Sequence, residues 1–105
     1  MLKCLMLLPT SYNDGSPVEP WKMSTALDRL DSLIGGHTID GNCEGVYRMD
    51  NGAMAHDVCV KIVAVCEESA LPSLREFAQV CAADFGQESI YLEHTPATVE
   101  FIRAA

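Results

Sequence analysis

The side chains with the clearest binding chemistry are six polar or aromatic residues between positions 44 and 93. They are Glu44, Arg48, Lys61, Gln87, Tyr91 and Glu93. Carboxylates, cations and an amide around a phenol ring can hold a small molecule by ion pairing, hydrogen bonding and stacking. The same charges can instead form cross-strand ion pairs, each of which stabilises a sheet by about 0.2–1 kcal/mol. We predict ligand binding by these residues, and the purely structural role is the simpler alternative.

No familiar catalytic motif accompanies these residues. The sequence contains no GxSxG, Walker, HExxH or dinucleotide-binding glycine pattern. His37 and His94 each directly precede a threonine. Two-histidine phosphoesterases use His-x-Thr instead, in which both side chains point to the same face of a strand. Adjacent residues point to opposite faces, so these dipeptides do not match that motif. His56 next to Asp57 could act as an acid–base pair, although a solvated turn pair is the simpler interpretation. We therefore predict no catalytic residue.

The cysteines predict a reduced protein without metal. There are five of them, an odd number, and none belongs to a CxxC pair. Zinc sites need such paired spacing, with further cysteines or histidines nearby. A buried free cysteine behaves as a small apolar residue, and thiols stay reduced in the cytoplasm. We predict free cysteines, no metal, no cofactor and a cytoplasmic location.

The composition is that of one globular domain with an acidic surface. The 105 residues are 49% hydrophobic and 21% charged, and the net charge is -8. Affinity for nucleic acid depends on cationic groups that neutralise phosphates, so this charge argues against a nucleic-acid ligand. No apolar run approaches the ~20 residues of a membrane span, and the apolar start is too short for a signal peptide. We expect neither nucleic-acid nor membrane partners.

Hydrophobic periodicity and turn residues predict six elements. They are a strand at 2–8, a helix from between 17 and 21 to the glycines at 35–36, strands at 38–49 and 58–65, a helix that follows 67–69 and ends at Gly86, and a strand at 89–93. The two middle strands form a hairpin around 50–52, where Asp-Asn-Gly favours a turn. Gly41 and Gly45 indicate a bulge or a bend in its first strand.

This order of elements is that of a ferredoxin-like βαββαβ fold. We predict an α+β two-layer sandwich in which two helices cover one face of an antiparallel sheet. The first and third strands are the most apolar, as the central strands of this fold should be, and the other two carry the polar residues typical of edges. Residues 1–95 form the domain. Residues 96–105 form a tail that we expect to pack on the sheet or on a partner subunit.

The sheet face away from the helices is the predicted binding surface. Its polar and aromatic members are Lys3, Glu44, Arg48, Cys59, Lys61, Tyr91 and Glu93. Its apolar members are Leu5, Leu7, Val63 and Val65. The expected register places Glu44 opposite Lys61 and brings Lys3 towards Glu93. Together with the tail, the apolar members exceed what a monomer usually exposes, so we predict a homodimer through this face.

Several short sequence pieces resemble a family of small bacterial proteins with a βαββαβ layout. The pieces are Gly36-His37-Thr38, Gly45-Val46-Tyr47-Arg48 with Asn51-Gly52, Lys61, and Phe85-Gly86-Gln87-Glu88-Ser89-Ile90. They lie in about the last two-thirds of the chain. That family has no assigned activity. The resemblance therefore implies the ferredoxin-like fold and the functional importance of Arg48, Lys61 and Gln87. It implies no catalytic role.

Three functions remain open at this point. The leading hypothesis is a non-catalytic dimeric binding module that holds a small molecule or a partner protein on its open sheet face or in a dimer cleft. The second is a small dimeric α/β-barrel enzyme acting on a compact organic substrate, which an apolar cavity rimmed by Arg48 and Tyr91 would favour. The third is an acidic inhibitor of a basic protein site, which a flat acidic sheet would favour.

Overall fold

Two helices cover one face of a four-stranded antiparallel sheet in the computed structural model, which describes residues 1–105. In chain order the elements are β1 (Leu2–Pro9), α1 (Pro20–Ile34), β2 (Thr38–Arg48), β3 (Met54–Cys66), α2 (Leu71–Asp84) and β4 (Tyr91–Pro96), with a short 3-10 turn at Glu68–Ala70 before α2. The strand order across the sheet is β2-β3-β1-β4. The predicted ferredoxin-like βαββαβ arrangement is therefore confirmed.

The two central strands form the floor of the core because every second side chain faces the helices. On β1 and β3 the buried members of this face are Leu2, Cys4, Met6, Leu8, Ile62, Ala64 and Cys66. Paired residues share a face, and the register Cys4↔Ala64 and Met6↔Ile62 aligns the two rows. The prediction that the two most apolar strands are central is confirmed. We call the other side of the sheet, away from the helices, the open face.

The helices close the core from above. Their buried residues are Ala26, Leu30, Leu71, Leu74, Phe77, Ala78, Cys81 and Ala82, and Phe85 follows directly after α2 with 0% exposure. Helix α1 ends at Gly35, whose φ of +91° is a left-handed conformation and whose N–H donates to the carbonyl of Asp31 at 2.8 Å. The predicted glycine stop is confirmed. Neither helix has the length and apolar character that a membrane crossing requires.

A bulge at Gly41 changes the face of every later residue of β2. Ile39 pairs with Ile62, whereas Asn42 pairs with Val60, so two residues of β2 lie opposite one residue of β3. The φ of Gly41 is +81°, which glycine adopts without steric cost. The bulge suggested by the glycines is present. The predicted open face, which includes Glu44 and Arg48, assumes one regular alternation along the whole strand, and this is wrong because residues 42–48 have the opposite orientation.

The β2–β3 hairpin is longer than predicted. The turn at 50–52 is confirmed: Gly52 has φ +86° and donates to the carbonyl of Met49 at 2.9 Å, and Met49 donates to the carbonyl of Ala53 at 2.8 Å. Strand β3 begins at Met54 rather than at Val58. The hairpin therefore extends past the end of β1, and the molecule measures 52 × 25 × 22 Å.

The tail leaves the sheet beside the N-terminus. The Ala97 N–H donates to the carbonyl of Met1 at 3.0 Å, and no helix or strand follows. Val99 is half-buried, but Phe101 is 77% exposed and Ile102 is 84% exposed. Two large apolar side chains at the C-terminal end thus find no cover within their own chain.

Candidate functional site

A cavity of about 160 Å³ lies on the open face, between the hairpin and the loop that joins α2 to β4. Leu7 and Pro9 of β1 and Cys59 of β3 form its floor. Tyr47 of β2 lines it from one edge of the sheet, and Tyr91 of β4 lines it from the other. Two phenol rings therefore flank an apolar floor. We call this site the open-face cavity.

The polar groups of the cavity sit at its rim and come from separate elements. Arg48 is the last residue of β2, Asp57 lies on β3, and Gln87 and Ser89 belong to the α2–β4 loop. A guanidinium, a carboxylate, an amide and a hydroxyl offer both donors and acceptors to a bound molecule. A few polar groups around an apolar surface are typical of small-molecule sites.

Tyr47 has room in the cavity because its neighbour on the same face is a glycine. A Cβ atom on Gly45 would lie 2.5 Å from Tyr47 Oη and 2.6 Å from its Cε2 atom. The ring therefore lies against the backbone of Gly45. Desolvation is the main cause that raises the pKa of Tyr47, and the neighbouring Cys59 and Asp57 add to it. At neutral pH the Tyr47 hydroxyl is protonated and can donate a hydrogen bond.

Cys59 on the cavity floor is not an activated nucleophile. Burial raises the pKa of this thiol to about 11, and the nearby carboxylate of Asp57 contributes to the same shift. Reactive cysteines have a lowered pKa, because the thiolate is the attacking species. Cys59 therefore serves as an apolar part of the floor at neutral pH. This geometry gives no support to covalent chemistry at the site.

Two hydrogen bonds fix the walls of the cavity to each other, and a third orders the α2–β4 loop internally. Asn13 of the β1–α1 loop donates through Nδ2 to the carbonyl of Gly86 at 3.2 Å. Gln87 donates through Nε2 to the carbonyl of Phe85 at 3.1 Å. The N–H of Asp50, at the hairpin turn, donates to a carboxylate oxygen of Glu88 at 3.3 Å. The β1–α1 loop, the hairpin and the α2–β4 loop are thereby tied at one end of the sheet.

The structure brings together three of the six predicted binding residues. Arg48, Gln87 and Tyr91 line the open-face cavity. Lys61 and Glu93 lie on the open face outside it, opposite Leu7 and Leu5 respectively on β1.

Glu44 lies on the other side of the sheet, where it pairs with Val58. By the same alternation Arg48 projects from the helix side, and it reaches the cavity only because it stands at the strand end. The bulge at Gly41 is the cause of both shifts. The prediction that Glu44 and Arg48 share the open face with Lys61 is therefore wrong.

The two predicted cross-strand ion pairs are also wrong. Lys61 is held instead by Asp40, with 3.4 Å between Nζ and Oδ2, since Asp40 is displaced by the bulge. Lys3 pairs with Thr95 rather than with Glu93.

Tyr47 and Asp57 line the cavity but are not among the binding residues predicted from the sequence. A regular alternation puts Tyr47 on the helix side of β2, and a short hairpin puts Asp57 in a turn. Counting Gly41 as an extra residue moves Tyr47 to the open face, opposite Ala55 and beside Asp57. Gly41 indicates that a bulge is possible, but the sequence does not determine whether the extra residue is inserted there in the pairing of β2 with β3.

Replacing Lys61 by methionine is expected to change the free energy of unfolding by about 1 kcal/mol or less. Its partner carboxylate on Asp40 is 60% exposed, so solvent screens the pair. Because Lys61 lies outside the open-face cavity, ligand binding there should be unaffected. Urea unfolding and ligand titration of Lys61→Met test this, with Asp40→Asn as the matched control. A folded Lys61→Met protein that no longer binds ligand would contradict the structural role.

Stability is expected to fall as the pH rises from about 9 to about 11. Burial raises the pKa of Cys4, Cys59 and Cys81 from 9.0 to about 11. Between these values the unfolded chain releases thiol protons that the folded chain retains, so each step up in pH favours unfolding. Urea unfolding under reducing conditions at several pH values measures this slope. Cys81→Ala should make the slope shallower, and a stability that stays constant over this range would contradict the prediction.

No three side chains among the histidines, cysteines, aspartates and glutamates are grouped to hold a metal ion. All five cysteines are free thiols, and the Sγ atoms of Cys4 and Cys66 approach to 3.7 Å in the core. Cys43 faces Cys59 across the hairpin. The arrangement of the donors therefore gives no specific support to a metal centre.

Comparison with known proteins identifies the fold. No family model and no curated protein matches this sequence. A phage SAM lyase solved in complex with S-methyl-5'-thioadenosine superposes with a TM-score of 0.69 at 14% identity, covering 90% of this chain and 79% of that chain. The divalent cation tolerance protein CutA1 from Thermus thermophilus has a TM-score of 0.66 at 16% identity, covering 96% of this chain and 88% of that chain.

A third solved structure is CutA1 from a psychrotrophic bacterium of the genus Shewanella, with a TM-score of 0.58 at 18% identity, covering 95% of this chain and 83% of that chain. The chain thus has the small α+β fold that the SAM lyase and CutA1 share. At these identities the similarity concerns the fold alone. The resemblance of the short sequence pieces to a family of small bacterial proteins stays a prediction.

Proposed function

We propose that this protein is a binding module that holds one compact, ring-containing small molecule in the open-face cavity. The observation that carries the proposal is the pair of tyrosines, Tyr47 and Tyr91, over an apolar floor. Aromatic side chains bind planar rings by stacking, and the stacking of a base contributes about 1–3 kcal/mol. Arg48, Asp57 and Gln87 supply the hydrogen bonds that orient the molecule.

The fold comparison and the polar rim support a nucleoside as the ligand. A volume of about 160 Å³ is below the roughly 300–1,000 Å³ of drug-sized sites, so the cavity itself fits one ring system, such as a base between the two tyrosines, and the sugar would extend to the solvent-open side. Asp57 can accept hydrogen bonds from amino or hydroxyl groups, as nucleosides carry. A phage SAM lyase with the same fold was solved with S-methyl-5'-thioadenosine bound. We therefore infer that an adenosine thioether is the first ligand to test.

A second copy of the chain completes the proposed site. The cavity is open to solvent, and its floor is continuous with the apolar row of Leu5, Leu7, Val63 and Val65 on the open face. A homodimer would cover this row and turn the cavity into a closed cleft. Light scattering should then give about twice the monomer mass.

The five free thiols also support the reducing, cytoplasmic setting expected from the sequence.

A small enzyme is the second candidate, and one observation favours it. The cavity is rimmed by Arg48 and Tyr91, the arrangement that sequence analysis associates with catalysis on a compact substrate. A lyase is also among the proteins with this fold. Against it, the thiol on the cavity floor is protonated at neutral pH, because its pKa is raised. Turnover of the bound molecule, rather than binding, separates the two functions.

Calorimetric titration with S-methyl-5'-thioadenosine and with adenosine tests the proposal. We expect saturable binding that Tyr91→Ala weakens about ten- to a hundredfold, as loss of a stacking ring predicts. Glu93→Gln is the matched control, because it lies on the same face outside the cavity and should bind as the wild type does. Incubation with SAM, followed by chromatography, reports any turnover. Absence of binding at millimolar concentration, or equal affinity of Tyr91→Ala and wild type, would overturn the proposal.

A further inference from the structure

The hairpin has a free backbone edge along β2 and an exposed apolar face formed by Val46 of β2 with Met54 and Val58 of β3. Strand β2 is at the edge of the sheet, so one side of its backbone has no paired strand. On the helix side of the hairpin, beyond the helices, Val46 is 54% exposed, Met54 is 50% exposed and Val58 is 43% exposed. An edge strand that combines free backbone groups with apolar side chains is a template for another strand.

The same chain carries a segment with matching properties. Residues 97–105 form neither helix nor strand, and they include the exposed apolar pair Phe101 and Ile102. Their backbone groups from 98 onwards make no hydrogen bond within the chain. The most exposed apolar side chains of the molecule therefore belong to a short segment that is available for strand pairing.

The tail cannot reach the hairpin of its own chain. Leu2 pairs with both Cys66 and Pro96, so the tail starts at that end of the sheet. The hairpin extends from the other end of β1, roughly 23 Å away along the strand, and on the opposite edge of the sheet. Five residues from Pro96 to Phe101 span at most about 18 Å. Contact between Phe101 and Val46 therefore requires two molecules.

We propose that the tail of one copy of this chain adds as an antiparallel strand to the free edge of β2 in a second copy. Charge and spacing favour a single register, in which Phe101 lies beside Val46. Residue 103 is two positions after 101 and residue 44 is two positions before 46, so Arg103 then lies beside Glu44 on the same face as Phe101 and Val46. The parallel direction would place Arg103 beside Arg48 and is disfavoured. Val46 and Phe101 cover each other in the antiparallel arrangement.

This register also brings the second copy to the open-face cavity. Because alternate residues point to opposite faces, Glu100 and Ile102 of the second copy lie on the cavity side of β2, beside Tyr47 and Gly45 respectively. The second copy then supplies part of the wall behind the Tyr47 ring. The proposal goes beyond ligand binding, since it concerns assembly of the protein without any ligand. It assigns the β2 edge as a contact between copies in addition to the open-face contact of the proposed homodimer, and the Phe101 variants test the edge contact separately.

Sedimentation velocity of the ligand-free protein is the first test. Wild type should form a species larger than the monomer at tens of micromolar, and Phe101→Glu should raise the dissociation constant more than tenfold. Phe101→Leu is the matched control and should assemble as the wild type does. Circular dichroism verifies that Phe101→Glu remains folded, as expected for a residue outside the core. A monomeric wild type, or equal assembly of wild type and Phe101→Glu, would overturn the proposal.

Charge reversal tests the register. Arg103→Glu and Glu44→Lys should each weaken assembly about three- to tenfold, and the double variant should recover most of the loss, because the ion pair is restored with its charges exchanged. A photo-crosslinker at position 102, in a mixture of isotope-labelled and unlabelled protein, should join peptides of different label at residues 43–47. Crosslinks confined to peptides of one label, or additive losses in the double variant, would contradict the arrangement. Tyr91→Ala should assemble normally, which separates this contact from ligand binding.

Discussion

Replacing Phe85 by alanine is expected to lower the free energy of unfolding by about 3–5 kcal/mol. Phe85 follows α2 and is the largest side chain in the core with no exposed surface. Its ring belongs to the apolar cluster that joins both helices to β1 and β3. Loss of the ring removes its transfer free energy and leaves a void that rigid strands and helices cannot fill. Urea unfolding followed by circular dichroism measures the change.

The appropriate control for Phe85→Ala is Leu33→Ala on α1. Leu33 is 45% exposed, so this truncation should cost less than about 1 kcal/mol. Phe85→Ala should also affect the open-face cavity, because the buried ring fixes the start of the loop that forms one wall, and the main-chain carbonyl that accepts the Gln87 amide would shift with it. A loss below about 1.5 kcal/mol would show that the core relaxes around the missing ring, contrary to the close packing inferred from its burial.

The order and type of the elements could be predicted because local chemistry and tertiary packing agree. Leu2 to Leu8 is apolar almost throughout. This is expected for a central strand whose side chains are buried by helices on one face and half-buried on the other. Gly35 ends α1 in a left-handed conformation that other residues rarely adopt. The turn around Gly52 follows from the same reasoning. In each case a short stretch of sequence contains all the physical information that fixes the structure.

The composition of the open-face cavity could be predicted only in part, because it depends on register over a distance. One extra residue at Gly41 reverses the faces of Glu44 and Tyr47, and nothing in the sequence fixes whether a glycine in an edge strand bulges or bends. The position of Tyr91 on the open face is predicted correctly because β4 is regular up to its pairing with Leu7. Asp57 is missed because the length of the hairpin is set by pairing between strands.

Replacing Gly45 by valine is expected to displace the Tyr47 ring and to weaken ligand binding in the open-face cavity, while the free energy of unfolding falls by only about 1 kcal/mol or less, because Tyr47 is 44% exposed. A Cβ atom at this position would overlap the Tyr47 ring, with a separation of 2.7 Å from its Cζ atom. Either the ring leaves the cavity wall or β2 shifts against β3. Each response separates Tyr47 from Tyr91, so the two rings no longer flank one ligand. Urea unfolding and calorimetric titration measure the two effects.

The clash can be isolated by making the same change in a Tyr47→Ala background. In that background the Tyr47 ring is absent. Glycine inside a strand lowers stability by roughly 0.5–1 kcal/mol, so Gly45→Val should then be neutral or stabilising. The difference between the two backgrounds is the coupling energy of the pair, expected to exceed about 0.5 kcal/mol. Equal destabilisation in both backgrounds would mean that the backbone at Gly45 needs glycine for a reason other than Tyr47. In that case the ring does not depend on this glycine for its place in the cavity wall.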